Sequence, residues 1–202
     1  TLRTGSGDLT VKQLYTPLDM ADKDYLGKTG FPGQYPFTRG VDPDGARARR
    51  PLKHFYSGFG GGEDAAQRYK ALVAAGADRL SIALDLPTQL GYDSDHPLAK
   101  GEVGKVGVAI DSLRDIEVLL EDIPLDKIAL STVANCIGPW FLALFVALIE
   151  KRGLDPNTVR IQVQNDPIKE YTGRGTYIFP VPAAIDLAAD VVQYCHQHLP
   201  NA

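Results

Sequence analysis

A chain of 202 residues, 44% hydrophobic and 23% charged, has the composition of an ordinary globular protein and excludes a disordered or fibrous one. Twenty-one basic residues against 25 acidic ones give a formal charge of -4, which leaves no net positive field to hold a nucleic-acid backbone. The longest apolar run, 140–149, is far short of the ~20 residues that cross a bilayer, and no signal-peptide pattern is present. A cytoplasmic protein with neither nucleic-acid nor membrane partners is the expectation.

In chain order, residues 1–58 scatter Pro17, Pro32, Pro36, Pro43 and Pro51 among glycines and charges, with no sustained apolar period. This reads as an extended amino-terminal arm that packs over a neighbouring body or a partner subunit. From Glu63 the rhythm changes. Ala65, Tyr69, Leu72 and Val73 recur at helical spacing up to Gly76, and residues 79–84 then supply a short buried strand. Ser112 caps a second helix carrying Leu113, Ile116, Leu119 and Leu120, followed by an apolar strand at 127–131. A nearly all-apolar helix at 139–152, a third strand at 159–163 and a last helix at 183–199 complete the series.

Short buried strands alternating with helices predict an α/β fold with a parallel sheet and right-handed crossovers. A closed eight-stranded barrel typically needs about 250 residues. The three clear strands in residues 59–202, behind the arm at 1–58, therefore read as an incomplete barrel, with an open doubly wound sheet or a small sheet closed some other way as the alternatives.

Residues 84–112 form a long, polar, glycine-punctuated loop directly after the first apolar strand, where barrel enzymes build active sites. Other candidates are weaker. Residues 58–62, Gly-Phe-Gly-Gly-Gly, suggest a phosphate nest, but Glu63 and Asp64 place negative charge where an anion would sit. His196 and His198 are two apart on a helix and point to different sides, and Cys136 and Cys195 fit no metal spacing. No metal site is expected.

The loop at 84–112, together with the stretches at 35–40, 56–59, 123–127, 164–171 and 176–180, resembles in order and spacing the large chain of the methylmalonyl-CoA mutase family. The resemblance runs from about Tyr15 to Tyr194. It implies the amino-terminal arm at 1–58 and, at 59–202, a partial (β/α)8 TIM barrel made of the first three to four strand-helix units of an adenosylcobalamin-dependent acyl-CoA mutase. In such enzymes acyl-CoA threads the barrel axis and cobalamin lies across its mouth, held mostly by a separate carboxyl-terminal domain absent here. Radical rearrangement of a branched acyl group is then the expected reaction, with the protein supplying placement and exclusion of water.

Residue by residue, Tyr56 matches the tyrosine that wedges against the adenosyl group, and Arg174 the arginine that pairs with a substrate carboxylate. Retention of Arg174 implies a dicarboxylic, methylmalonyl-like acyl-CoA, because members acting on uncharged acyl groups carry glutamine there. Gln164 matches a pocket glutamine bonding the acyl or thioester carbonyl, and it reads equally as a strand-end amide satisfying backbone. Leu84 stands where many relatives place phenylalanine against the acyl group. Leu86, Gln89, Val106 and Gly173 fall where the family touches the corrin, with Gln89 replacing a common histidine. Arg49 matches an arginine for the coenzyme's phosphates, within a basic run at 47–53 that reads equally as a solvated loop.

Residues 42–45, Asp-Pro-Asp-Gly, replace the family's Tyr-Pro-Thr-Met, and Leu52 and His54 replace a threonine and an arginine of the coenzyme A grip. Two carboxylates beside a polyphosphate repel it. Tyr56, Leu84, Gln164 and Arg174 are expected to converge on one hollow at the strands' exit side. The chain is expected to be inactive alone and to need the rest of a mutase chain or a partner subunit, in a dimer. A non-catalytic mutase subunit and an acyl-CoA-binding or assembly module are the alternatives.

Overall fold

The computed structural model describes residues 9–48 and 50–202, together with the backbone of Leu2, Arg3 and Ala46. Arg49 lies outside the described residues. The chain divides into two units, Thr1–Pro51 and Leu52–Ala202.

The first unit pairs β1 (Leu2–Arg3) antiparallel with β2 (Thr10–Val11). Beyond them it is a succession of single turns. Thr16 and Asp19 cap the turn Pro17–Met20, and Asp24 accepts from the Gly27 N–H to open the turn Tyr25–Thr29. Prolines and glycines at this density interrupt any regular ladder, so the turns close on local backbone and side-chain bonds, such as those from the Gly30 N–H to the Tyr25 carbonyl and from the Gly33 N–H to the Gly40 carbonyl.

The second unit is an α/β body around one parallel sheet. Its elements are β3 (His54–Ser57), α1 (Gly62–Ala74), β4 (Arg79–Ile82), α2 (Leu86–Gln89), α3 (Leu113–Leu119), β5 (Ala129–Val133), α4 (Gly138–Lys151), β6 (Ile161–Gln164) and α5 (Val181–His198). The sheet order is β3-β4-β5-β6, every neighbouring pair parallel, with helices in the connections. The helices expected from apolar spacing are present within about two residues of their expected ends.

The strands shift more, for local reasons. β5 starts at Ala129 rather than 127 because the Lys127 and Ile128 N–H groups close a turn on the Pro124 carbonyl. β4 stops at Ile82, and beyond it Ala83 and Asp85 exchange backbone bonds with Val108, at 2.7 and 3.1 Å. The sheet also has a strand where the sequence reading placed the tail of the arm. β3 joins β4 with His54 opposite Arg79 and Tyr56 opposite Ser81.

One row of β4, β5 and β6 faces the helices. Leu80, Ile82, Leu130 and Ile161 pack with Tyr69 and Leu72 of α1, Ile116 and Leu119 of α3, and Phe141 and Phe145 of α4 in the main core. Among the described residues no helix is long and apolar enough to cross a membrane.

Candidate functional site

Strand alternation puts a second row of side chains on the opposite face. Register makes Tyr56, Ser81, Ser131 and Gln162 neighbours across all four strands. Two residues earlier on their strands stand His54 and Arg79, and two residues later Gln164. This face is polar throughout its centre. His54 Nε2 lies 3.4 Å from Ser131 Oγ, and Arg79 Nη1 donates to Gln162 Oε1 at 2.9 Å. Packed (β/α)8 interiors instead carry layers of bulky branched side chains.

At the strands' carboxyl ends the segment 85–111 is folded against the sheet. Asp85 is fully buried, and its carboxylate accepts from the Thr88 N–H at 2.9 Å and from the Gly104 N–H at 2.7 Å. One side chain thus caps α2 and pins a turn nineteen residues later. The Gly60 N–H donates to the Gly104 carbonyl, and the Ala109 N–H to the Gly60 carbonyl. Gly107 permits the close approach: a Cβ there would stand 2.1 Å from the Leu84 carbonyl carbon. The Gly60 and Gly61 N–H groups, which an anion nest would use, are therefore spent internally, the latter on Asp64.

A second polar cluster joins the ends of β5 and β6. Asn135 is buried at φ 51° and donates from Nδ2 to the carboxylate of Glu170. Glu170 is 3% exposed and sits 3.6 Å from Arg174 Nη1. Asn135 Oδ1 is buried with no hydrogen-bond partner. Burial, with Glu170 adding to it, pushes the Cys136 thiol up, so this cysteine is no ready nucleophile. Sequence reading missed Asp85, Asn135 and Glu170. Only Asp85 left a local signal, an aspartate before a proline and a threonine at a helix start.

The sequence-predicted residues divide between these places. Tyr56 and Gln164 share the polar face, Tyr56 59% exposed. Leu84 is 1% exposed and packs in the main core. Arg174 lies in the turn after β6, held toward Glu170, with 38% of its side chain open. Leu86 and Gln89 lie on α2, where Gln89 Nε2 donates to the Leu84 carbonyl at 2.7 Å. Val106 is 65% exposed, and a Cβ at Gly173 would meet nothing within 4 Å. None of the four expected to converge lines the largest cavity described, about 610 Å3 beside Tyr92, Asp111, Trp140 and Phe179.

Residues 4–202 match the model of the family described as methylmalonyl-CoA mutase. The chain is similar, at 45% identity over 96% of its length, to the 2-hydroxyisobutanoyl-CoA mutase large subunit of Aquincola tertiaricarbonis, of which it covers 34%. It is 40% identical to a methylmalonyl-CoA mutase of Cereibacter sphaeroides over 96% of its length, covering 27% of that protein. An ethylmalonyl-CoA mutase of the same organism is 45% identical over 72% of the chain, which covers 22% of it. The chain thus spans about a third or less of the length of these curated relatives.

Proposed function

Because the chain belongs to the methylmalonyl-CoA mutase family, we propose that it forms the first four strand-helix units of a (β/α)8 acyl-CoA mutase barrel, preceded by an arm. The reaction is carbon-skeleton rearrangement of a branched acyl-CoA. The observation that carries this reading is the polar face of the sheet. A row of Tyr56, Ser81, Ser131 and Gln162 is unsuited to a packed barrel interior, and it suits a lumen occupied by a polar, thread-like ligand. The open sides of β3 and β6 suit the remaining strands, which belong to further sequence or to a partner subunit.

Within that reading, the acyl group sits at the carboxyl ends of the strands. Gln164 meets the acyl or thioester carbonyl. Arg174 takes a substrate carboxylate with the part of its fork that Glu170 leaves open. Tyr56, exposed on the same face, is the aromatic wall beside the reacting carbons. Arg49 contributes to the grip on the coenzyme's phosphates.

Adenosylcobalamin, when bound, supplies the radical chemistry. The residues for it fit a broad flat ligand: Val106 is an exposed apolar side chain and Gly173 an open stretch of backbone, both in turns beyond the strands' ends. Leu86 and Gln89 contribute from α2, and the tie from Gln89 to Leu84 fixes that helix.

Arg174→Gln in the complete mutase carrying this chain tests the acyl assignment. A lost charge-assisted pair costs about 1.5–3 kcal/mol, or roughly 10- to 100-fold in affinity. That loss is expected for methylmalonyl-CoA and not for isobutyryl-CoA, both measured by calorimetry. Equal effects on the two ligands refute it.

A further inference from the structure

The amino-terminal edge of the polar face holds a cation that nothing above employs. Arg79 opens β4, registered against His54 of β3. Its Nη1 reaches across β5 to Gln162, while its Nε is buried without a hydrogen-bond partner. His54, beside it, contacts Ser131. A guanidinium presents five donors in a fixed fork, and a buried donor lacking an acceptor is a costly arrangement to keep. An acceptor that arrives with a ligand resolves it.

Register fixes how far this cation lies from the acyl end. Ala129 pairs with Arg79 and Val133 with Gln164, so the two levels are separated by four residues of β5. At a rise of ~3.3 Å per residue this is about 13 Å along the face. A ligand whose thioester lies at Gln164 and which runs along Ser131 and Ser81 brings its pantetheine arm down the sheet. Its phosphate end then arrives at the amino-terminal edge. Ser81 and Ser131 carry small side chains, so neither adds bulk of its own along that line.

We propose that Arg79, flanked by His54, is a binding residue for the phosphate end of the acyl-CoA. The assignment rests on the acyl-CoA reading above and adds to it a cation at the far end of the ligand. The fork matches phosphate oxygens in two-point geometry, and Gln162 holds it in place from two strands away.

The test is calorimetric titration of the complete mutase carrying this chain, as wild type, Arg79→Gln and Arg79→Lys, with acyl-CoA and with the matching acyl-pantetheine, which lacks the phosphates. Arg79→Gln is expected to weaken acyl-CoA binding by about tenfold or more and acyl-pantetheine by less than about twofold. Arg79→Lys keeps the charge and is expected to recover part of the loss. It also serves as the folded reference if the glutamine variant fails to fold. Equal losses for both ligands, or no loss for either, overturn the assignment. Inorganic phosphate is the probe for a free-anion site, and binding of phosphate as tight as acyl-CoA also overturns it. Failure of the wild type to bind either thioester overturns the acyl-CoA reading itself, a separate result.

Discussion

Tyr69 joins the fold to the site, and Tyr69→Phe isolates one hydroxyl. Its ring is fully buried under α1, and its phenol donates to the Ser57 carbonyl at 2.6 Å, one residue beyond Tyr56. The Ser57 carbonyl also accepts from the Ala83 N–H at 3.0 Å, so deleting the hydroxyl does not leave it bare. The cost is therefore that of a typical net hydrogen bond, about 1 kcal/mol, and below the ~1–3 kcal/mol of an orphaned group. In a chain of this size it lowers the melting temperature by roughly 2–4 °C.

A pH series sharpens the test. Burial, reinforced by Tyr56, raises the Tyr69 pKa well above the ordinary phenol value. A raised native pKa means that the folded state holds the proton more tightly. The contribution is complete below the unfolded value near pH ~10 and is lost as pH rises through the native one. Wild type should lose stability above about pH 10 more steeply than Tyr69→Phe, and the difference between them should shrink. Urea unfolding followed by circular dichroism measures both curves. A gap that stays constant to about pH 11 refutes the argument, because the phenol would then not be titrating differently in the two states.

Two further substitutions probe the loops. Glu170→Ala removes a buried carboxylate from between Asn135 and Arg174; Arg174 can regain water, so the expected cost is about 1–3 kcal/mol rather than the ~3–5 of a fully buried broken pair. Thermal melting and faster amide exchange at 134–138 check it, and an unchanged melting temperature refutes it. Gly107→Ala drives a methyl group into the Leu84 and Asp85 backbone, 2.1–2.4 Å away, where nothing can yield. The Val108 amide, bonded to Ala83 at 2.7 Å, should lose its exchange protection, while Gly173→Ala, with open space around it, should stay within about 0.5 kcal/mol of wild type.

The helices were legible in the sequence because each buries a continuous apolar stripe, as with Ala65, Tyr69 and Leu72 of α1. β3 was not, because its residues read His-Phe-Tyr-Ser and remain mostly exposed, so no apolar run marks them. What makes it a strand is the β4 edge alone, a partner 25 residues away in sequence. The Asn135–Glu170 bond spans 35 residues and left no periodic trace for the same reason. The loop at 84–112 stands out by its place after a strand, and Asp85 by its place before a helix start, but the second role of Asp85 shows only where the Gly104 turn returns to it.

Leu84 shows where residue-by-residue transfer of roles reaches its limit. Its matched role requires an open wall against an acyl group, and here the side chain is 1% exposed beside Val108 in the core. The residue before it, Ala83, is in phase with Ser81 and Tyr56 on the polar face. Ala83 is buried as well, 5% exposed, two residues beyond Ser81 and against Gly58 of the neighbouring strand line. A Cβ at Gly58 would collide with the Ala83 carbonyl oxygen at 2.1 Å, so only glycine allows this approach. What this level of the face is built on is therefore the close approach of two strands at Gly58, and not an apolar wall at Leu84.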